Sequence, residues 1–190
     1  MILAGGQSRR MGREKLSIEV GGRPLIEHVN SALSTSCREL LVVGGGTQLE
    51  GVRHMADERP GRQGPLAGIE VGLAAARYPH VFIAAGDMPF LPAGLVGYLL
   101  ERLGRGGVVA VIPRYGGRSH PLCGAYARAL LPRVRAALDS GVRAVHAFLK
   151  ELDGVEYVGE ELWRFGDPDL LLMNVNTPRD LERARREAGR

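Results

Sequence analysis

The chain has 190 residues and a mass of 20.5 kDa, is 45% hydrophobic but only 5% aromatic, and carries a formal net charge of +4 with a pI near 9.4. That is enough for one sizeable core and short for two, so a single α/β domain over 1–190 is expected. No apolar run approaches the roughly 18 residues of a membrane span, no signal-peptide pattern opens the chain, and the positive charge comes without a basic block, aromatic series or nucleic-acid motif; a cytoplasmic protein with no membrane or nucleic-acid partner is expected.

In chain order, apolar runs of strand length recur at Ile2 to Ala4, Leu40 to Val43, Val81 to Ala85 and Val108 to Ile112. Each is followed by glycine or proline and then by residues of helical period, which is the βαβ signature of a mainly parallel sheet. Pro24 starts a helix with Leu25, Ile26, Val29 and Leu33 on one face, and a second runs from about Leu66 through Ile69 and Leu73. The segment from 114 to 126 changes texture and reads as a hairpin or a strand running against the others. Thr177-Pro178-Arg179-Asp180 opens the last helix with an N-cap, a proline at the first helical position and an acid placed to close a capping box. Cys37 and Cys123 stand far apart without partner ligands at metal-like spacing, and read as buried thiols.

In a doubly wound sheet ligands sit beyond the carboxyl ends of the strands, so the loops after each strand carry the functional information. The first is Gly5-Gly6-Gln7-Ser8-Arg9-Arg10-Met11-Gly12, followed by Arg13 and Lys15. Its glycines let backbone N–H groups approach phosphate oxygens, and its cations suit several phosphates. It is neither a Walker A nor a G-x-G-x-x-G loop, and a basic surface loop is the alternative on spacing alone. Only Lys15 and Lys150 among the 25 basic residues are lysine, which suggests a compact ammonium in the loop rather than a planar fork. After the third run comes Gly86-Asp87-Met88-Pro89-Phe90. A carboxylate at the tip of a buried strand is costly unless paired or holding a metal, and magnesium uses one or two carboxylates with substrate phosphates; the alternative is an N-cap for a helix near Pro92. Gly64-Pro65-Leu66-Ala67-Gly68 and Asn174-Val175-Asn176-Thr177-Pro178 have the same look.

Together, LAGGQSRRMGREK, GPLAG, GDMPF and NVNTP, in this order and covering nearly the whole chain, resemble the molybdenum cofactor guanylyltransferases. The resemblance implies a Rossmann-like, three-layer nucleotidyltransferase domain and transfer of GMP from GTP to molybdopterin with magnesium, giving molybdopterin guanine dinucleotide and pyrophosphate. By the same resemblance Leu3, Ala4, Gly5 and Gly6 contact GTP, as does Asp57 seven residues before GPLAG. Lys15 meets the phosphates, and Asp87 is both nucleotide contact and magnesium ligand. Lys15, Asp87 and Arg10 form the expected catalytic set. His120, Asn174 and Asn176 resemble the molybdopterin side, as does the stretch Val142 to Val145. Transient contact with other molybdenum cofactor proteins is implied as well.

Two departures stand out. Gly44-Gly45-Gly46 occupies a place where some members have an asparagine, and the chain starts only two residues before the leucine of the opening motif, so the first strand is expected to be short or cut. His28, His54, His80 and His146 are assigned no role. A relative using CTP or a sugar-phosphate acceptor, and a non-catalytic nucleotide-binding carrier of the cofactor, are the alternative readings of the whole chain.

Overall fold

The computed structural model describes residues 1–5, 15–46, 48–56 and 64–189. Among them the strands are β1 (Ile2–Leu3), β2 (Glu19–Val20), β3 (Arg23–Pro24), β4 (Leu41–Val43), β5 (Arg53–Met55), β6 (His80–Ala85), β7 (Ala110–Tyr115), β8 (Arg118–Ser119), β9 (Cys123–Ala127) and β10 (Val155–Val158). The helices are α1 (Leu25–Ser34), α2 (Gly64–Ala75), α3 (Ala93–Gly104), α4 (Leu131–Asp139), α5 (Val145–Lys150), α6 (Pro168–Leu171) and α7 (Pro178–Ala188). No helix is long and apolar enough to cross a membrane.

The main sheet has the order β10-β7-β9-β6-β1-β4-β5, with β8 hairpinned onto β7. All pairings along it are parallel except those of β9, which runs against both β6 and β7. The changed texture at 114 to 126 therefore contains both expected forms, a tight hairpin and a reversed strand. β7 starts two residues after Val108 and runs past Ile112 to Tyr115, because β10 and β8 supply it with partners as far as Pro113 and Tyr115.

Period-two alternation sorts the strands onto two faces. Val42, Phe82 and Ala84 pack with Ile26, Val29 and Leu33 of α1 and Leu95 and Leu99 of α3. Their neighbours Leu41, Val43, Val81 and Ile83 pack with α2, α4 and α5 through Leu66, Leu73, Val134 and Phe148. The result is a mainly parallel sheet between two helical layers, with one antiparallel strand. Leu25 joins a third cluster instead, where the β2–β3 hairpin meets Met173, Val175 and Ala184 of the C-terminal segment.

Two glycine approaches set the environment of β1. In α2, a Cβ on Gly68 would lie 3.1 Å from Leu3 Cδ2, and one on Gly72 would collide with Met1; the helix accepts residues that cost it about 1 kcal/mol each relative to alanine, and in return lies close on the first strand. After β4, Gly44 and Gly45 have φ of 74° and 72°. A Cβ on Gly45 would sit 2.8 Å from the Ala4 carbonyl oxygen, so the position of the family asparagine is filled here by backbone pressed onto the start of the opening loop. Of the two cysteines, Cys123 is buried, and burial pushes its thiol up to about 12. Cys37 is only half-buried, against the expectation.

The capping box of α7 forms as expected: Thr177 Oγ1 accepts from Asp180 N at 3.2 Å, and Asp180 Oδ2 accepts from Thr177 N at 2.8 Å and Asn176 N at 2.9 Å. Partial burial pushes the Asp180 carboxyl up, but these donors and the nearby Lys15 charge outweigh it and hold it below its ordinary value. Thr177→Ala is expected to cost about 1 kcal/mol in denaturant unfolding at neutral pH. The Asp180 contribution is present above the unfolded carboxyl value of about 3.9 and is lost as pH falls through the lower folded value, so Asp180→Asn should narrow its stability gap to the wild type in that acid range. Gly45→Ala combines a left-handed φ with the Ala4 contact and should lose at least about 1–2 kcal/mol, read as a drop of several degrees in melting temperature.

Candidate functional site

β4 and β5 extend the sheet on one side of β1, and the chain then crosses back through α2 to place β6 on the other flank. The reversal puts a crevice at the carboxyl ends of β1 and β6, the place where open α/β sheets bind ligands. Gly86 N donates to the Leu3 carbonyl at 3.0 Å, which locks the two loop starts side by side. Asp87 follows directly.

Asp87 is 8% exposed as a residue and is the only buried charged residue among the described ones. Lys15 Nζ, from a 3-10 turn at Lys15–Ser17, donates to Asp87 Oδ2. Asn174 Nδ2 donates to Asp87 Oδ1 at 2.6 Å. Lys15 Nζ also donates to Asn176 Oδ1 at 2.7 Å, and Val175 N donates to the Asp87 carbonyl at 3.0 Å. Two remote segments thus converge on one carboxylate, which is how a buried charge escapes its desolvation cost. The N-cap alternative for Asp87 fails: α3 begins after Pro92 with no side-chain cap.

Leu3, Ala4 and Gly5 lie at the end of β1, against Val43 and Gly44, with Ala4 N donating to Val43 O at 2.9 Å. Gly6, Arg10 and Asp57 fall outside the described residues, as do Arg9 and Arg13. Asn174 and Asn176, expected on the molybdopterin side, stand in the Lys15–Asp87 cluster itself. His120 lies one step along the sheet: Leu122 O accepts from Ala85 N at 2.8 Å and His120 N donates to Pro113 O at 2.8 Å, which puts the histidine at the same end of the strands as Asp87. Burial, then the facing His146 and Arg118, hold its imidazole below the ordinary histidine value. His146, given no role on sequence grounds, meets Ser119 Oγ through Nδ1 at 3.1 Å. No local pattern marks it, because the contact joins β8 to α5. Gly64 stands against the Arg143 carbonyl, 3.0 Å from an added Cβ, so the GPLAG turn and the stretch from Val142 to Val145 are neighbours.

Two hollows of about 330 and 550 Å3, both lined by Pro79 and His80, lie at the opposite end of β6 and away from this chemistry. Among the described residues no three histidine, cysteine or acidic side chains converge to hold a metal. What the cluster offers a metal is the Asp87 carboxylate with the amide oxygen of Asn176 beside it. That set of hard oxygens, too few for a protein-only cage, fits an ion that takes most of its shell from water and phosphate, as magnesium does.

The chain matches the MobA-like NTP transferase domain over residues 1–155. It is 36% identical over 190 residues to a probable molybdenum cofactor guanylyltransferase of Pelotomaculum thermopropionicum, covering 97% of this chain and 90% of that protein. Among solved structures it superposes on the molybdopterin-guanine dinucleotide biosynthesis protein A of Archaeoglobus fulgidus with a TM-score of 0.83 and 29% identity, over 99% and 97% of the two chains. A 2-C-methyl-D-erythritol 4-phosphate cytidylyltransferase of Thermus thermophilus shares the fold at 22% identity and a TM-score of 0.73, over 100% of this chain and 98% of that one. With the crevice, the buried aspartate and the loop order all in agreement, the chain belongs to the MobA-like NTP transferase family, in the group of the molybdenum cofactor guanylyltransferases.

Proposed function

We propose that the protein transfers GMP from GTP to the terminal phosphate of molybdopterin, giving molybdopterin guanine dinucleotide and pyrophosphate. The observation that carries this reading is the convergence of Lys15 and Asn174 on the buried Asp87 at the switch point of the sheet, with Asn176 holding the Lys15 ammonium. The acceptor phosphate is an anion at neutral pH, so its oxygen forms the new bond to the α-phosphorus without surrendering a proton, and the bond to the bridging oxygen of pyrophosphate breaks. No general base is required, and no histidine among the described residues is hydrogen-bonded to a carboxylate. The demand is instead for fixed positive charge and in-line positioning.

Lys15 supplies the charge. Its ammonium is already held at the mouth of the crevice by Asp87 and Asn176, where it meets the phosphates of a nucleotide whose ribose and base lie along Leu3 to Gly5. Asp87, with Asn176 beside it, would hold the magnesium ion, which when bound neutralises charge on the phosphates. Asn174 fixes the rotation of the carboxylate through Oδ1. Burial, then His146 and Arg118, hold the His120 imidazole below its ordinary value, which favours a hydrogen-bonding ring over a fixed charge on the acceptor side.

The deciding experiment incubates the protein with magnesium, molybdopterin and each of the four common nucleoside triphosphates and measures pyrophosphate release. Release with GTP alone, and only when molybdopterin is present, is expected; release with CTP instead would reassign the protein to a cytidylyl activity. Asp87→Ala should lower turnover by about two to three decades, and retention within tenfold would remove the aspartate from its role. Lys15→Arg should also be poorly tolerated, since a planar guanidinium does not reproduce a compact ammonium donating at once to Asp87 and Asn176. A near-wild-type rate for that variant would show that charge alone suffices.

A further inference from the structure

The β7–β10 flank of the crevice carries a second feature. Tyr115, the last residue of β7, meets Trp163 edge-on, with ring centroids 6.2 Å apart and planes at 79°. Tyr115 is half-buried, and packs against the core layer that contains Met88 and Leu162. Trp163 is 59% exposed, and is the only tryptophan in the chain. An indole left this open against an anchored phenol is not core packing, and the T-shaped arrangement uses the edge of one ring on the face of the other while leaving aromatic surface free.

The two segments that deliver this pair are those that deliver the acceptor side of the site. Tyr115 belongs to the β7–β8 hairpin, which pairs Tyr115 with Arg118 and leads through Ser119 to His120. Ser119 and His146 tie that hairpin to α5. Trp163 lies in the 3-10 turn Glu160–Arg164 that follows β10 and leads through α6 to Asn174. β7 and β10 run parallel to each other and, across β9, in the direction of β6, so Tyr115 and Trp163 stand at the same end of the sheet as Asp87. β7 is two strand spacings from β6, about 10 Å. The nucleotide loops after β1 and β4 lie on the opposite flank.

We propose that Tyr115 and Trp163 form a stacking platform for the fused heterocycle of the acceptor, outboard of the phosphate that reacts at Asp87. The inference rests on the reading of molybdopterin as acceptor. Its planar 2-amino-4-oxopyrimidine ring is shared by the guanine of GTP; the placement of the pair across Asp87 from Leu3 to Gly5 assigns it to the pterin. Aromatic stacking tolerates many ring types and typically changes affinity by roughly fivefold to a hundredfold on removal of the side chain.

Initial rates with magnesium, GTP and molybdopterin test this. Trp163→Ala is expected to raise the KM for molybdopterin about tenfold and leave the KM for GTP within twofold, with Trp163→Phe restoring most of the loss. An unchanged KM for molybdopterin overturns the proposal, and so does a rise in the KM for GTP alone, which would assign the platform to guanine. If the wild-type protein turns over GTP with no dependence on molybdopterin, the acceptor reading itself fails, and that result is separate from any effect of the variant. A second measurement does not depend on turnover: the fluorescence anisotropy of 6-hydroxymethylpterin, a phosphate-free ring, should rise on titration with the wild-type protein and not with Trp163→Ala. Equal binding to both overturns the proposal.

Discussion

The Asp87 carboxylate, mostly buried at the tip of β6 and met by Lys15 and Asn174, is the constraint around which the site is organised. A carboxylate buried there without partners would carry an uncompensated desolvation cost. The partners of Asp87 come from 72 residues earlier and 87 residues later in the chain. Satisfying one charge therefore fixes the entry of the chain into its first helical turn and the path of its C-terminal segment. The third core cluster, in which Ile18 and Val20 meet Met173 and Val175, gives the same union an apolar base.

That arrangement also gives one small domain a site with two flanks. β1 and β6 part company at the topological switch, and their loops open to opposite flanks. On one side the backbone of Ala4 and Gly5 is backed by Gly44 and Gly45, and a Cβ on Gly45 would lie 2.8 Å from the Ala4 carbonyl oxygen. On the other, β9 runs against its neighbours, so the reversed strand is what brings His120 to the same end of the sheet as Asp87. A purely parallel sheet of the same length would have placed that histidine at the far end. Lys15 and Asp87 lie at the boundary between the two flanks.

Much of the fold was legible beforehand, for identifiable reasons. Strands buried on both faces appear as short continuous apolar runs, and those at Leu40 to Val43 and Val81 to Ala85 are within one residue of β4 and β6. The capping box at Thr177 and Asp180 is a local device whose partners are three residues apart, so its formation follows from the sequence. The β2–β3 hairpin, β5 and β10 carry no comparable signal, being two to four residues long and stabilised by neighbours rather than by pattern. Leu25 matched the apolar face of α1 but packs into the third cluster, because periodicity gives a direction and not the identity of the surface met there.

The division is sharper in the site. The sequence by itself determined the loops after the strands, the presence of an acid at one and a lysine at another, and the family to which their order points. Only the tertiary structure decided that Asn174 and Asn176 close on Asp87 and Lys15 rather than standing apart, that His146 reaches Ser119, and that Trp163 rests on Tyr115 at the site end. Local motifs depend on dihedral preferences and hydrogen bonds between near neighbours, which a sequence encodes directly. Contacts across 161 residues depend on the order and direction of strands in the sheet, and that order emerges only when the whole core is packed.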